Sequence, residues 1–178
     1  MQSFRHPPEG DNLGGLAPST LRPAASVKNI FNDPDHRDLE RRLDALRPDS
    51  PRRWGRMSPH QAVCHLNDAF EIVLGERPTD FRADSLLNRT VGRVVALSTP
   101  IPWPRGLPTS PEADQEKNGT PPGSFDDDVA DLRASMARFR ERGGRGLGPH
   151  VALGPLSPGE WGRWGWRHTN HHLRQFGV

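Results

Sequence analysis

The chain has 178 residues, 33% of them hydrophobic, and a formal net charge of only +2 at pH 7. This length supports one domain with a core, while 18 glycines and 19 prolines, grouped in patches, indicate loops around a smaller ordered body. The sequence has no apolar run of about 18 residues and no basic stripe, and its first residues lack the apolar region expected of a signal peptide. We therefore expect neither a membrane nor a nucleic-acid partner.

The residue usage also points to a cellular setting. Cys64 is the single cysteine, which excludes an internal disulfide and fits a reducing compartment. All but two of the 24 Lys and Arg residues are arginine, and tyrosine is absent, which is typical of a GC-rich genome. We therefore expect a bacterial, cytoplasmic protein.

The chain divides into a tail and one domain. Residues 1–26 are rich in Pro, Gly, Ser and Ala and are predicted to be a disordered N-terminal tail, followed by a helical domain over 27–178. The first predicted helix has Asp33 as its N-cap and Pro34 at its first position. Its apolar stripe repeats at i, i+4 and i+7 in Leu39, Leu43 and Leu46.

Residues 58–76 form the clearest predicted helix. Ser58 and Gln61 match a capping box, and Gly75 is a natural stop. Residues 85–100 predict a third helix, with a strand as the alternative. The apolar positions of this third segment are Leu87, Val91, Val94 and Val95.

Residues 99–124 predict a long loop, of a length that is usually functional or disordered. Ile101 and Trp103 are costly to expose, so at least its first part is expected to pack down. Residues 125–142 predict a fourth helix, with three aspartates at its start and arginines at its end, which suits the helix dipole. The last helix is predicted over 158–176, after another capping box. Five amphipathic segments without a convincing strand predict an all-α bundle.

Three histidines are concentrated near the end of the chain. His168 and His172 are four residues apart and therefore share one helix face, whereas His171 lies about 100° away. His65 leans toward the core side of the second helix. Three imidazoles directed into a bundle suit Zn, Ni or Fe and leave a coordination position open, so His65, His168 and His172 are the candidate metal ligands. A nucleic-acid contact and ordinary packing of core histidines are the alternatives.

Several further residues are candidates for supporting roles. His60 and His171 are acid/base or outer-shell candidates, with a surface or structural role as the alternative. Gln175 lies one turn beyond His172, where it could orient that ligand. The other candidates for an outer-shell contact, this time to His65, are Asn67, Asp68 and Glu71. No catalytic residue is assigned.

The C-terminal run His168-Thr169-Asn170-His171-His172-Leu173-Arg174-Gln175 resembles the H-x-x-H-H-x-x-Q signature of the DinB-like superfamily. The second-helix run MSPHQAVCHL, over 57–66, resembles the helix that carries that superfamily's other ligand histidine. Trp54-Gly55 before Met57, the Pro102-Trp103-Pro104 loop and the run GPLSPGEW over 154–161 are similar to one branch, mostly labelled as domains of unknown function. The resemblance covers residues 28–178, although Leu-Arg-Gln replaces the usual Arg-Gly-Gln ending.

The resemblance implies a four-helix bundle, here with an extra short N-terminal helix or long loops, and His65, His168 and His172 around a divalent metal. The branch often has a histidine before the last helix, so the resemblance also makes His150 a candidate for the pocket mouth. It also implies a metal-dependent enzyme that uses a low-molecular-weight thiol, a transferase or isomerase acting on a small electrophile. A non-enzymatic metal-binding or interaction bundle is the alternative, because fold does not carry function. A homodimer through the bundle helices is compatible with either.

Overall fold

A computed structural model describes Met1 and residues 27–178. The predicted disordered tail therefore lies outside the described residues, apart from Met1. Within 27–178 the chain forms α-helices and short helical turns, and its only β-pairing is an isolated bridge between His150 and Gly154. The predicted all-α class is confirmed, while the specific DinB-like four-helix bundle stays a prediction. The α-helices are α1 Asp33–Ala45, α2 Pro59–Leu74, α3 Arg93–Ser98, α4 Phe125–Arg142 and α5 Pro158–Gln175.

The ends of α2 follow from the sequence. The Ser58 hydroxyl accepts a hydrogen bond from the Gln61 backbone N–H, and the Gln61 side chain accepts one from the Ser58 N–H in return. Gly75 ends the helix at a φ of 77°, in the left-handed region that glycine adopts without strain. The predicted start of α1 is one residue late, because Asn32 is the N-cap and Asp33 is already helical.

The core lies around α2, which packs against α4 on one side and α5 on the other. The Phe139 ring of α4 lies 5.2 Å from that of Phe70 and 5.9 Å from that of Trp164, measured between ring centroids. Met136 and Leu132, one and two turns before Phe139, are fully buried beside them. This aromatic and aliphatic layer holds α2 and α5 at the spacing on which the histidines depend.

The third predicted helix is only partly right. A π-helical turn, Asn88–Gly92, precedes α3, and the strand alternative is wrong. Arg93 pairs with Glu160 and bonds the Pro155 carbonyl, which fixes the segment so that Leu97 is its buried residue. The predicted apolar face is exposed, with fractional exposures of 66%, 58%, 57% and 40% at Leu87, Val91, Val94 and Val95.

The 99–124 loop packs down at Trp103 and over residues 110–115, while residues 104–108 are exposed. Trp103 is half-buried and donates its indole N–H to the Ala96 carbonyl, whereas Ile101 stays 56% exposed, against expectation. A 3-10 turn, Pro111–Ala113, lies against α2, and Ala113 and Asp114 are buried. Among the described residues, no helix is both long enough and apolar enough to cross a membrane.

Candidate metal centre

Three predicted ligand histidines converge between α2 and α5. One ring nitrogen each from His65, His168 and His172 lies within 4.8 Å of the others. The Nε2 atoms of His65 and His168 are 3.1 Å apart. Nitrogen ligands bound tetrahedrally at about 2.0 Å from zinc lie roughly 3.3 Å from each other. The donor set therefore fits one divalent metal ion of the kind that imidazole prefers.

The orientation of His65 comes from the loop that follows α3. Its Nδ1–H donates to the Ala113 carbonyl at 2.7 Å, because a carbonyl can only accept. The lone pair of Nε2 is then directed at the other two histidines. This is the arrangement by which outer-shell partners orient a metal-bound imidazole. Asn67, Asp68 and Glu71, the sequence candidates for this contact, do not make it.

Asp68 instead anchors the loop that carries Ala113. Its carboxylate accepts the backbone N–H of Thr120 at 2.9 Å and its hydroxyl at 2.6 Å, and it accepts the Gln115 amide at 2.8 Å. Arg77 adds an ion pair at 2.8 Å. Burial raises the pKa of Asp68, against the lowering effect of the Thr120 bonds. One buried carboxylate on α2 thus holds the second half of the loop over His65.

His172 is oriented from the C-terminal end of α5. Its Nδ1–H donates to Gln175 Oε1 at 3.1 Å, and the Gln175 amide donates to the Trp54 carbonyl at 3.0 Å. Gly55 has a φ of 80°, and a Cβ there would lie 2.6 Å from Gln175 Nε2. The Trp54-Gly55 turn is therefore shaped to receive Gln175.

His168 completes the cluster without such a partner. Its Nδ1 is buried and has no hydrogen bond within the described residues. Burial, followed by the nearby His172 and His65, sets the pKa of His168 well below its ordinary value. Burial also lowers the pKa of His65 and of His172. All three imidazoles are therefore held neutral at pH 7, which is the form that binds a metal.

Aromatic side chains border the half-buried side of the cluster. The His171 ring is 4.6 Å from Trp54 and 6.0 Å from Trp103, and Trp103 is also 5.8 Å from His168, between centroids. The Arg105 guanidinium lies 5.3 Å from the Trp54 ring centroid. His171 is thus outside the ligand set, as its angular position on α5 predicted, and its burial lowers its pKa to about 4.

His150 and His60 lie elsewhere. His150 Nδ1 accepts the backbone N–H groups of Ala152 and Leu153, both at 3.1 Å, so it shapes its own turn beneath Trp161 and Trp164. His60 donates to Asp128 on α4, away from the three-histidine cluster. The cluster itself was predictable from helical spacing. The Ala113 carbonyl was not, because a backbone group leaves no mark in the sequence.

Fold and site together define an all-helical protein with a candidate three-histidine metal centre. A model of the family DUF1569, described as a protein of unknown function, matches residues 32–177, and the chain belongs to this family. No curated protein and no solved structure matches the chain. The expectation of a domain of unknown function is confirmed, and a link to the DinB-like superfamily stays a prediction.

Proposed function

We propose that this protein is a divalent-metal-dependent enzyme whose ion, Zn, Ni or Fe, is held by His65, His168 and His172. The observation that carries the proposal is the convergence of three neutral imidazoles, two of which are oriented through Nδ1 by Ala113 and Gln175. Three protein ligands leave room for water or substrate, as in catalytic rather than closed structural sites.

The reaction that we propose is attack of a thiol or water on a small electrophile. The metal, when bound, supplies charge that lowers the pKa of the coordinated nucleophile toward neutrality. The chain's own residues orient the metal ligands and form the walls of the substrate site. Ala113 and Gln175 orient two of the imidazoles. Trp103 beside His168 and Trp54 beside His171 provide apolar walls for an electrophile with an apolar or aromatic part. A low-molecular-weight thiol is the proposed co-substrate, which makes the enzyme a transferase or isomerase.

A non-enzymatic metal-binding module is the second candidate function. The observation that favours it is the burial of two ligands, because His65 and His172 are only 4% and 8% exposed. A substrate must therefore approach from the side of His168, which is half-buried. The two candidates share the metal and differ in whether that approach admits a reactant.

Metal content of tag-free protein, measured by elemental mass spectrometry, tests for the metal ion that both candidate functions require. A His168→Ala, His172→Ala double variant should contain one equivalent less than the wild type. A His36→Ala variant is the control, since His36 is a half-buried histidine outside the cluster. The proposal would be contradicted if the wild type and a folded double variant had equal metal content, also after reconstitution.

A screen of thiols against small electrophiles tests the enzymatic part. Metal-loaded wild type should form a thiol adduct, detected by mass spectrometry, that the double variant does not form. If the loaded protein forms no adduct with any thiol and electrophile pair, the non-enzymatic metal-binding module becomes the better function.

A further inference from the structure

A second cluster of metal-ligating side chains lies between α2 and α4. His60 and Cys64 are four residues apart on α2, and Asp128 reaches them from the first part of α4. Their ligand atoms, Nε2, Sγ and a carboxylate oxygen, lie within 4.8 Å of one another. We propose that these three residues form a second transition-metal site that binds Zn²⁺ and shares no residue with the three-histidine cluster.

The distances require only a small local opening. His60 Nε2 is 2.5 Å from Asp128 Oδ2, a hydrogen bond, and Cys64 Sγ is 3.6 Å from the same oxygen. Nitrogen, oxygen and sulfur ligands around tetrahedral zinc lie about 3.3–3.7 Å apart. The sulfur is already at that spacing, and the His60–Asp128 pair must separate by about 1 Å. Both of these side chains reach solvent, with 19% and 16% of their surface exposed, so both have room to move.

Neighbouring groups hold two of the three ligands in place. The Gly123 backbone N–H donates to Asp128 Oδ2 at 2.9 Å, and the Phe125 ring packs edge-on against the His60 ring at 5.3 Å. His60 binds through Nε2 once its proton resides on Nδ1. Cys64 binds as the thiolate, and its proton is released to solvent. Water would fill the fourth position.

The mixed donor set selects the metal. A thiolate together with an imidazole suits a borderline-soft ion such as Zn²⁺, whereas Mg²⁺ and Ca²⁺ prefer sites made only of oxygen. A metal there would link α2 to α4, the helix that supplies none of the three clustered histidines. Its binding would therefore stabilise the folded state by mass action.

Titration with Co²⁺ distinguishes the two sites. A thiolate bound to Co²⁺ gives a near-ultraviolet charge-transfer band that an all-histidine site cannot give, and Cys64 is the only cysteine in the chain. The band is expected in the wild type and equally in the His168→Ala, His172→Ala variant. It should be absent in Cys64→Ser, and the variants His60→Gln and Asp128→Asn should bind Co²⁺ at this site more weakly. Loss of a ligand should cost more than the roughly 10–100-fold caused by losing an outer-shell partner.

His36→Gln is the matched control. His36 faces Glu40 one turn away on α1 with comparable side-chain exposure, 18% and 28%, but has no thiol beside it. This variant should bind Co²⁺ like the wild type. A wild type without the sulfur band at saturating Co²⁺ overturns the proposal. The proposal is also overturned if folded His60→Gln and Asp128→Asn variants show the same band with the same Co²⁺ affinity as the wild type, because the thiol would then bind Co²⁺ without the other two residues.

Discussion

α5 and the segment 86–98 both place apolar side chains at helical spacing, but α5 buries its apolar stripe, whereas the segment buries Leu97 and leaves its leucines and valines over 86–95 exposed. Trp161, Trp164 and Leu173 on α5 are at most 3% exposed, whereas Leu86 and Leu87 are 79% and 66% exposed. Periodicity identifies an apolar face, but it does not say whether another element covers that face. In this protein the covered face carries the candidate metal centre.

The difference has a visible cause in the backbone. Gly162 of α5 lets the chain before α1 cross it closely, since the Ile30 N–H bonds the Gly162 carbonyl at 3.0 Å. A Cβ at Gly162 would lie 2.0 Å from Asn29 Oδ1. The segment 86–98 has no comparable crossing and is held at its rim by the Arg93–Glu160 ion pair and the Trp103–Ala96 hydrogen bond.

Among substitutions within the two regions, the largest effect is expected from breaking that crossing. Gly162→Ala should lower the free energy of unfolding by about 1–3 kcal/mol, because a methyl group overpacks the contact with Asn29. Urea unfolding measures it. Gly159→Ala is the control in the same helix, since a Cβ there meets nothing within 4 Å, and it should be neutral or stabilising. Equal effects of the two substitutions would show that close packing does not distinguish α5.

A second test asks whether contacts made by α5 also orient the metal-binding histidines that it carries. Gln175→Leu should weaken zinc binding at the three-histidine centre roughly 10–100-fold, because His172 loses the acceptor that orients it. Competition with a chromophoric chelator measures the affinity. Asn170→Ala is the control, since Asn170 accepts from Arg42 and makes no bond to the histidines. Unchanged affinity in a folded Gln175→Leu variant would mean that packing alone positions His172.

A third test concerns the contact between the two chain segments that lead into the segment 86–98 and into α5. The turn of His150 connects them, since the Ala83 N–H bonds the Val151 carbonyl at 2.7 Å. Burial lowers the pKa of His150 to about 4, below the value of about 6.5 for a free histidine. The unfolded chain therefore binds the proton more tightly. Stability from this group is complete above about pH 6.5 and is lost as the pH falls toward 4.

Wild type should accordingly lose about 1–2 kcal/mol between pH 7 and pH 5 through this one group. His150→Gln has no such proton to bind, so its unfolding free energy should fall less steeply over that range. Urea unfolding at several pH values gives the two slopes. Parallel slopes would show that His150 does not resist protonation in the folded protein.

The smallest effect is expected on the exposed segment. Val91→Ala should change the free energy of unfolding by no more than about 0.5 kcal/mol, because its side chain is 58% exposed. Leu132→Ala, at a fully buried position of α4, should cost about 2–5 kcal/mol. Thermal unfolding of the pair measures the contrast. A large loss from Val91→Ala would mean that the segment is covered after all.

Much of the fold was readable from local chemistry. The limits of α2 follow from Ser58, Gln61 and Gly75, and those of α4 were predicted at both ends. Capping and helical spacing act within a few residues, so they leave a complete record in the sequence. The same reasoning placed His65, His168 and His172 on core-facing sides of their helices.

Only the tertiary structure decided what those side chains meet. It brought the Ala113 carbonyl to His65 and the Trp54 carbonyl to Gln175, and it set Asp128 against Cys64. It also left the apolar face of residues 86–95 exposed to solvent. Each of these contacts joins residues that are distant in the chain, and a backbone carbonyl is the same at every position. Local pattern therefore determines which face a residue occupies, while the packing of whole helices determines its partner.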